Sequence, residues 1–204
     1  NKISDISFLK NSTKLANLNL KKNNIENIDN VSGLTKLTYL NLSDNLISNV
    51  EPLKSLTKLS SLYLSNNKIS DISSLKNLNE LSSIKLDGNK IKDFSSINDK
   101  KGIFEKIIHN QNVDLGNVEV SEKTFEIDNV FVGLEKIAKG GNIKVSTEAE
   151  GVTVTLESGK LNFSLTDKAM ENIKEGLKLT VKFKFENEMD YENNPTVLNL
   201  NVNL

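Results

Sequence analysis

Leucine returns every 22 residues through the first half of this chain, and that period constrains its folding more than any other feature. Leu15, Leu37, Leu59 and Leu81 form one column. Leu18, Leu40, Leu62 and Ile84 form a second, and Leu20, Leu42, Leu64 and Leu86 a third. Asparagine keeps the same step at Asn23, Asn45, Asn67 and Asn89. Further apolar columns run through Ile25, Ile47, Ile69 and Ile91, then Ile28, Val50, Ile72 and Phe94, then Val31, Leu53, Leu75 and Ile97. A last column of Leu34, Leu56 and Leu78 breaks at Lys100. Counting back one period places Asn1, Ile3, Ile6 and Leu9 in the same columns, so the chain is expected to begin in mid-repeat, without an N-terminal cap.

The pattern is that of a leucine-rich repeat, and its physics can be read from one period. In Leu18-Asn19-Leu20 an alternation of two turns both leucines inward and Asn19 outward on a short strand. The column asparagine stands where the chain leaves the strand. Its amide donates and accepts together, so it can satisfy backbone groups that the turn buries. Each such group left unsatisfied costs roughly 1–3 kcal/mol. One repeat cannot bury its own apolar face, so repeats are expected to stack into a solenoid. The expected fold class is an α/β solenoid with short parallel strands and a convex side of 3-10 or irregular turns.

From residue 100 the period is expected to fail, because Lys100 and Lys106 stand where the repeat wants leucine. Residues 100–110 read as a transitional strand or turn closing the solenoid. Beyond them alternation of period two appears at 112–120, 124–132, 143–147, 152–157, 161–166, 177–185 and 197–204. In the run from Leu177 to Phe185 the apolar side chains share one face, with Lys178, Thr180, Lys182 and Lys184 on the other. About seven such strands predict a small all-β sandwich. Residues 167–175 read as a short helix, with Asp167 as its candidate N-cap and Gly176 as its stop. The domain boundary is placed between solenoid residues 1–109 and sandwich residues 110–204.

What the chain lacks removes whole classes of function. With no cysteine it has no disulfide scaffold, thiolate zinc site or cysteine nucleophile, and one histidine cannot build a multi-histidine metal centre. All 26 basic residues are lysine, so the guanidinium fork that reads guanine is missing. The net charge of −1 gives no global field towards nucleic acid or anionic lipid. No apolar run is long enough to span a membrane. Residues 1–99 hold thirteen lysines against ten acids, and residues 100–204 thirteen against seventeen, so a faintly basic solenoid precedes an acidic second half.

A 22-residue repeat joined directly to a β-domain resembles the internalins, surface proteins of Gram-positive bacteria. The stretch Asn110-Gln111-Asn112-Val113-Asp114-Leu115 is similar to the entry of the internalin inter-repeat domain. The resemblance implies that the second half is an immunoglobulin-like sandwich that caps the repeat core and holds the solenoid away from the cell wall. It also implies adhesion, a role in virulence and an extracellular location at the bacterial surface or wall. Neither the family's helical cap nor its wall anchor is present in this sequence.

Binding, if the chain binds, belongs on the concave sheet, where each repeat presents one ordered row of side chains. Period places Asn17, Tyr39, Ser61 and Ser83 in one outward column and Asn19, Asn41, Tyr63 and Lys85 in the next. Lys21, Ser43, Ser65 and Asp87 follow, then Lys22, Asp44, Asn66 and Gly88. Tyr39 and Tyr63 should be diagonal neighbours roughly 7–8 Å apart. Two exposed tyrosines beside charges match the composition of a protein interface, and the candidate contact residues are Tyr39, Tyr63, Lys21, Asn41, Asp44 and Lys85. The alternative is that each tyrosine merely covers a neighbour on a solvated sheet. His109 reads as a structural histidine at the domain junction, with base or ligand as the alternative. The acidic run from Glu186 to Glu192 reads as a solvated hairpin tip, with a calcium loop as the alternative, and Gly140-Gly141-Asn142 reads as a turn.

The expected function is that of a non-catalytic, monomeric recognition protein. It binds a protein or glycoprotein, a host receptor among the candidates, with no cofactor, no metal and no nucleic acid. A structural cell-wall spacer that contacts other bacterial surface components is the alternative. An intracellular regulatory subunit would share the repeats but not the β-domain. No nucleophile, metal cluster or phosphate loop favours an enzyme.

Overall fold

In a computed structural model the chain divides into two compact units, Asn1–His109 and Asn110–Leu204. The structure describes residues 2–98, 100, 105–107, 111–128, 143–157, 160–173, 176–185 and 196–203.

The first unit is the solenoid that the period demands. Its sheet holds β1 (Asn17–Asn19), β2 (Tyr39–Asn41), β3 (Ser61–Tyr63), β4 (Ser83–Lys85) and β5 (Glu105–Ile107), in that order. All pairs are parallel, and each residue faces the one 22 positions on, so Leu18 pairs with Leu40, Leu40 with Leu62 and Leu62 with Ile84. The convex side carries 3-10 turns at Ser7–Leu9, Asp29–Val31, Glu51–Ser55 and Ser73–Asn77, and a single α-turn, α1 (Ser95–Asn98). Each turn is entered through one side chain: Asp5, Asn27, Asn49, Asp71 and Asp93 accept the N–H two residues on, at 2.7–2.9 Å. Leu37, Leu40, Leu59, Leu62, Ile69 and Phe94, from both sides of the solenoid, are wholly buried.

The asparagine column acts as the sequence requires. Asn67 Oδ1 accepts the Ile47 N–H at 3.0 Å, while its amide donates to the carbonyls of Leu42 and Leu64 at 3.0 Å. Asn45 and Asn89 repeat this with Ile25, Leu20 and Leu42, and with Ile69, Leu64 and Leu86. One side chain thus ties its own turn to the previous repeat. A second column shares an unusual backbone. Lys22, Asp44, Asn66 and Gly88 all lie in the left-handed region, φ 54–68°, where the chain turns off each strand.

The closing segment expected in residues 100–110 takes its strand form, as β5, although leucine is lost at Lys100 and Lys106. β5 pairs with β4 at the same 22-residue step, Ser83 with Glu105 and Lys85 with Ile107. Backbone pairing needs no leucine, so the ladder outlasts the apolar pattern by one strand. Lys100 stands in for the lost leucine in another way, with its ammonium donating to the carbonyls of Lys76 and Leu78 at 2.8 and 3.1 Å.

The second unit is β-rich. Its strands are β6 (Asn112–Glu119), β7 (Thr124–Ile127), β8 (Ile143–Thr147), β9 (Val152–Glu157), β10 (Lys160–Leu165), β11 (Leu177–Phe185) and β12 (Thr196–Asn203). One sheet runs β7-β10-β9 and the other β6-β12-β11-β8. All pairs are antiparallel except β6 with β12. The alternation of β11 is realised, with Leu179, Val181 and Phe183 buried and Lys178 and Thr180 exposed. Phe125 and Phe163, paired across β7 and β10, stack with centroids 4.5 Å apart. The helix α2 (Asp167–Ile173) is capped one residue earlier than expected: Thr166 Oγ1 accepts the Ala169 N–H, and Asp167 pairs with Lys123 instead. Gly176, φ 84°, ends it through its N–H to the Ile173 carbonyl.

Candidate functional site: the concave face of the repeats

The strands of the solenoid are three residues long, so β2, β3 and β4 each present only two side chains outward around one buried leucine or isoleucine. Register then decides which of them meet. Tyr39 faces Ser61 and Asn41 faces Tyr63, which puts the two tyrosines on a diagonal. Their rings meet edge to face, with centroids 5.6 Å apart and planes at 88°. That is closer than the roughly 7–8 Å expected for diagonal neighbours. Tyr63 faces Lys85 on the next strand, whose ammonium stands 5.1 Å from the Tyr63 ring centroid.

Hydrogen bonds fix both phenols. The Asn41 amide donates to the Tyr39 oxygen and the Ser83 hydroxyl to the Tyr63 oxygen, each at 3.4 Å. Accepting from the Asn41 amide leaves the Tyr39 phenol its own proton to donate. Asn41 also accepts the Ser43 N–H and is only 8% exposed, so it positions Tyr39 more than it offers a surface. Ser83, 3% exposed, was missed in sequence. Its place beside Tyr63 follows from the 22-residue register, though serine alone carries no signal.

The two remaining sequence candidates form a separate pair. Lys21 and Asp44 stand 3.6 Å apart, both partly exposed, and Asp44 also accepts from the Asn66 amide at 2.7 Å. The structure therefore brings together Tyr39, Tyr63, Asn41 and Lys85, and leaves Lys21 with Asp44 at the strand exits. Ser65 and Asp87, bonded at 2.6 Å, continue that exit row. The arrangement offers aromatic area, a phenolic donor and paired charges. Those are the means of non-covalent recognition.

Among the described residues no group of three histidines, cysteines or acids could hold a metal ion. None of their helices is long and apolar enough to cross a membrane. His109, residues 186–192 and Gly140-Gly141-Asn142 lie outside the described residues.

Comparison with known proteins places the repeats firmly. Residues 13–55 and 57–99 each match the family model described as Leucine Rich repeats (2 copies). No curated protein matches the sequence. Among solved structures, the chain is similar to an internalin, InlF, of Listeria monocytogenes, with 32% identity over 55% of this chain and 33% of that one, TM-score 0.54. It shares its fold with InlP of the same organism, at 18% identity, TM-score 0.65, over 91% of this chain and 52% of that one. It also shares the fold of a Listeria monocytogenes internalin-like protein, at 15% identity, TM-score 0.66, over 94% of this chain and 64% of that one. The chain thus spans less than two-thirds of each of these three relatives.

Proposed function

We propose that this chain, an internalin-like leucine-rich repeat protein, is a non-catalytic adhesin displayed at a bacterial surface or wall. It acts as a monomer and binds a protein or glycoprotein partner through the concave face of its repeats. A single observation carries this reading: two tyrosines and a lysine from three adjacent strands, all half-buried, converge on one patch of the concave face. Aromatic rings offer large, stiff contact area at small entropic cost, which is why they dominate the energetics of binding surfaces. Lys21 and Asp44 form a polar rim beside that patch.

The second unit supports the same reading as an immunoglobulin-like sandwich. Seven strands in two sheets, with its first and last strands paired in parallel, fit that architecture. Such a domain carries the repeats and performs no chemistry itself.

The test is saturable binding of the labelled chain to mammalian epithelial cells and, separately, to bacterial cells of the parent strain. Saturable binding to the epithelial cells supports a host adhesin. Binding confined to the bacterial cells overturns that reading and makes the protein a wall component.

A further inference from the structure

The charges of the solenoid are sorted by their place in the period. Acids gather where the chain enters the convex turns, at Asp5, Glu26, Asp29, Glu51, Asp71 and Asp93. From the ends of the first four turns to the next strands, the return segments 10–16, 32–38, 54–60 and 76–82 carry Lys10, Lys14, Lys36, Lys54, Lys58 and Lys76 against one acid, Glu80. Neighbouring return segments are locked in register. Thr38 N–H donates to the Ala16 carbonyl, Ser60 N–H to that of Thr38, and Ser82 N–H to that of Ser60, at 2.8–2.9 Å. Lys14, Lys36 and Lys58 stand two residues before these anchors, so their backbones stack at the strand spacing of about 4.8 Å.

All three of these lysines are exposed, and none forms an ion pair with a described residue. Like charges in such a column repel one another, so the column works against the stability of the fold. Beside it runs a column of Thr13, Thr35 and Thr57, exposed as well. By contrast the hydroxyls of Thr38, Ser60 and Ser82, nearer the strands, are spent on carbonyls of the previous repeat. The flank therefore carries a ladder of ammonium groups next to a ladder of hydroxyls, at one repeat distance and distinct from the concave face.

We infer that this flank docks a linear anionic polysaccharide. Its regularly spaced carboxylates or sulfates meet the lysine column, and its ring hydroxyls meet the threonines. A nucleic acid fits less well. The return segments 10–16, 32–38, 54–60 and 76–82 hold no aromatic ring on which a base could stack, and the chain has no arginine to grip phosphates. The inference stands independently of the concave site, because it uses none of that site's residues.

The full chain on immobilised heparin, eluted with salt, tests it, with an immobilised single-stranded oligonucleotide run in parallel. The wild-type chain should be retained on heparin at about 0.05 M salt and released as screening shortens the reach of exposed charges. The triple variant Lys14→Gln, Lys36→Gln, Lys58→Gln should lose about tenfold or more in apparent affinity, as expected when several charge contacts are removed together. Glu80→Lys extends the column by one repeat and should raise retention. The pair Tyr39→Ala with Tyr63→Ala should leave it unchanged. All the substituted charges are exposed, and a matching thermal melt shows that each variant is folded. Equal retention of the wild-type and triple-variant chains overturns the inference, as does retention on the oligonucleotide equal to that on heparin.

Discussion

The rings of Tyr39 and Tyr63 meet edge to face at 5.6 Å, although the residues stand on different strands and two positions apart in register. Parallel pairing at a 22-residue step brings Asn41, not Tyr39, opposite Tyr63, and so creates the diagonal on which the rings touch. Lys85 then extends the cluster to a third strand. A patch built across three repeats depends on the register of all three.

The tyrosine contact itself should be measurable. Edge-to-face aromatic pairs contribute about 0.5–1.5 kcal/mol beyond their buried area. A double-mutant cycle of Tyr39→Ala and Tyr63→Ala, read by urea unfolding, should give a coupling of that size. Strictly additive effects would show that the rings are neighbours without interacting.

Asn67 is buried, and Asn67→Leu should be strongly damaging. The substitution orphans the Ile47 N–H, at a cost of roughly 1–3 kcal/mol, and takes one of two amide donors from the carbonyls of Leu42 and Leu64, which keep those of Asn45 and Asn89. Urea unfolding should show a loss of several kcal/mol, on the order of the larger single-substitution effects. A midpoint within experimental scatter of the wild type would remove the ladder as a source of stability.

Gly88→Ala should destabilise through backbone and space together. Its φ of 68° disfavours a side chain, and an added Cβ would fall 2.1 Å from Asn66 Oδ1. The expected cost is about 1–2 kcal/mol. Adding Asn66→Gly removes the obstructing side chain and should recover part of that loss, which a thermal melt of the single and double variants would reveal.

Acid should weaken the convex turns. The Ser73 backbone N–H and hydroxyl hold the Asp71 carboxylate below its ordinary pKa of 3.8. A carboxylate depressed in the folded state stabilises the protein above its unfolded pKa. That contribution disappears as the pH falls through the folded value. Asn27 and Asn49 make the same turn contact without a charge. Asp71→Asn should therefore match the wild type in urea at pH 7 and lose less stability below pH 4, about where carboxylates titrate. Asp71→Ala, without any cap, should lose about 1 kcal/mol at pH 7, a deficit that narrows below pH 4 as the wild-type carboxylate is protonated.

The solenoid was legible in the sequence because its columns restate one physical problem, a face that no single repeat can bury. Leu62 and Asn67 each had a role fixed by period alone, and the structure gives them those roles. β5 was legible only as a closing strand or turn somewhere in residues 100–110; its register was not, since backbone pairing carries no residue signature once leucine gives way to Lys106. The cap of α2 was displaced by one residue because Thr166 and Asp167 are both good caps, and only the turn at Gly151 decides between them. Added bulk at Gly151 would strike Thr166 Oγ1, so that glycine makes room for the threonine to cap. On the concave face the tyrosine diagonal could be read from register. Ser83 could not, because nothing in a serine announces that it will meet a phenol.

The most direct measurement is the dissociation constant for cells that bind the chain, with and without Tyr39→Ala and Tyr63→Ala, at matched thermal stability. Recognition by the concave face predicts a weakening of tenfold or more, about 1.4 kcal/mol or above. An unchanged constant for a fully folded double variant would contradict it.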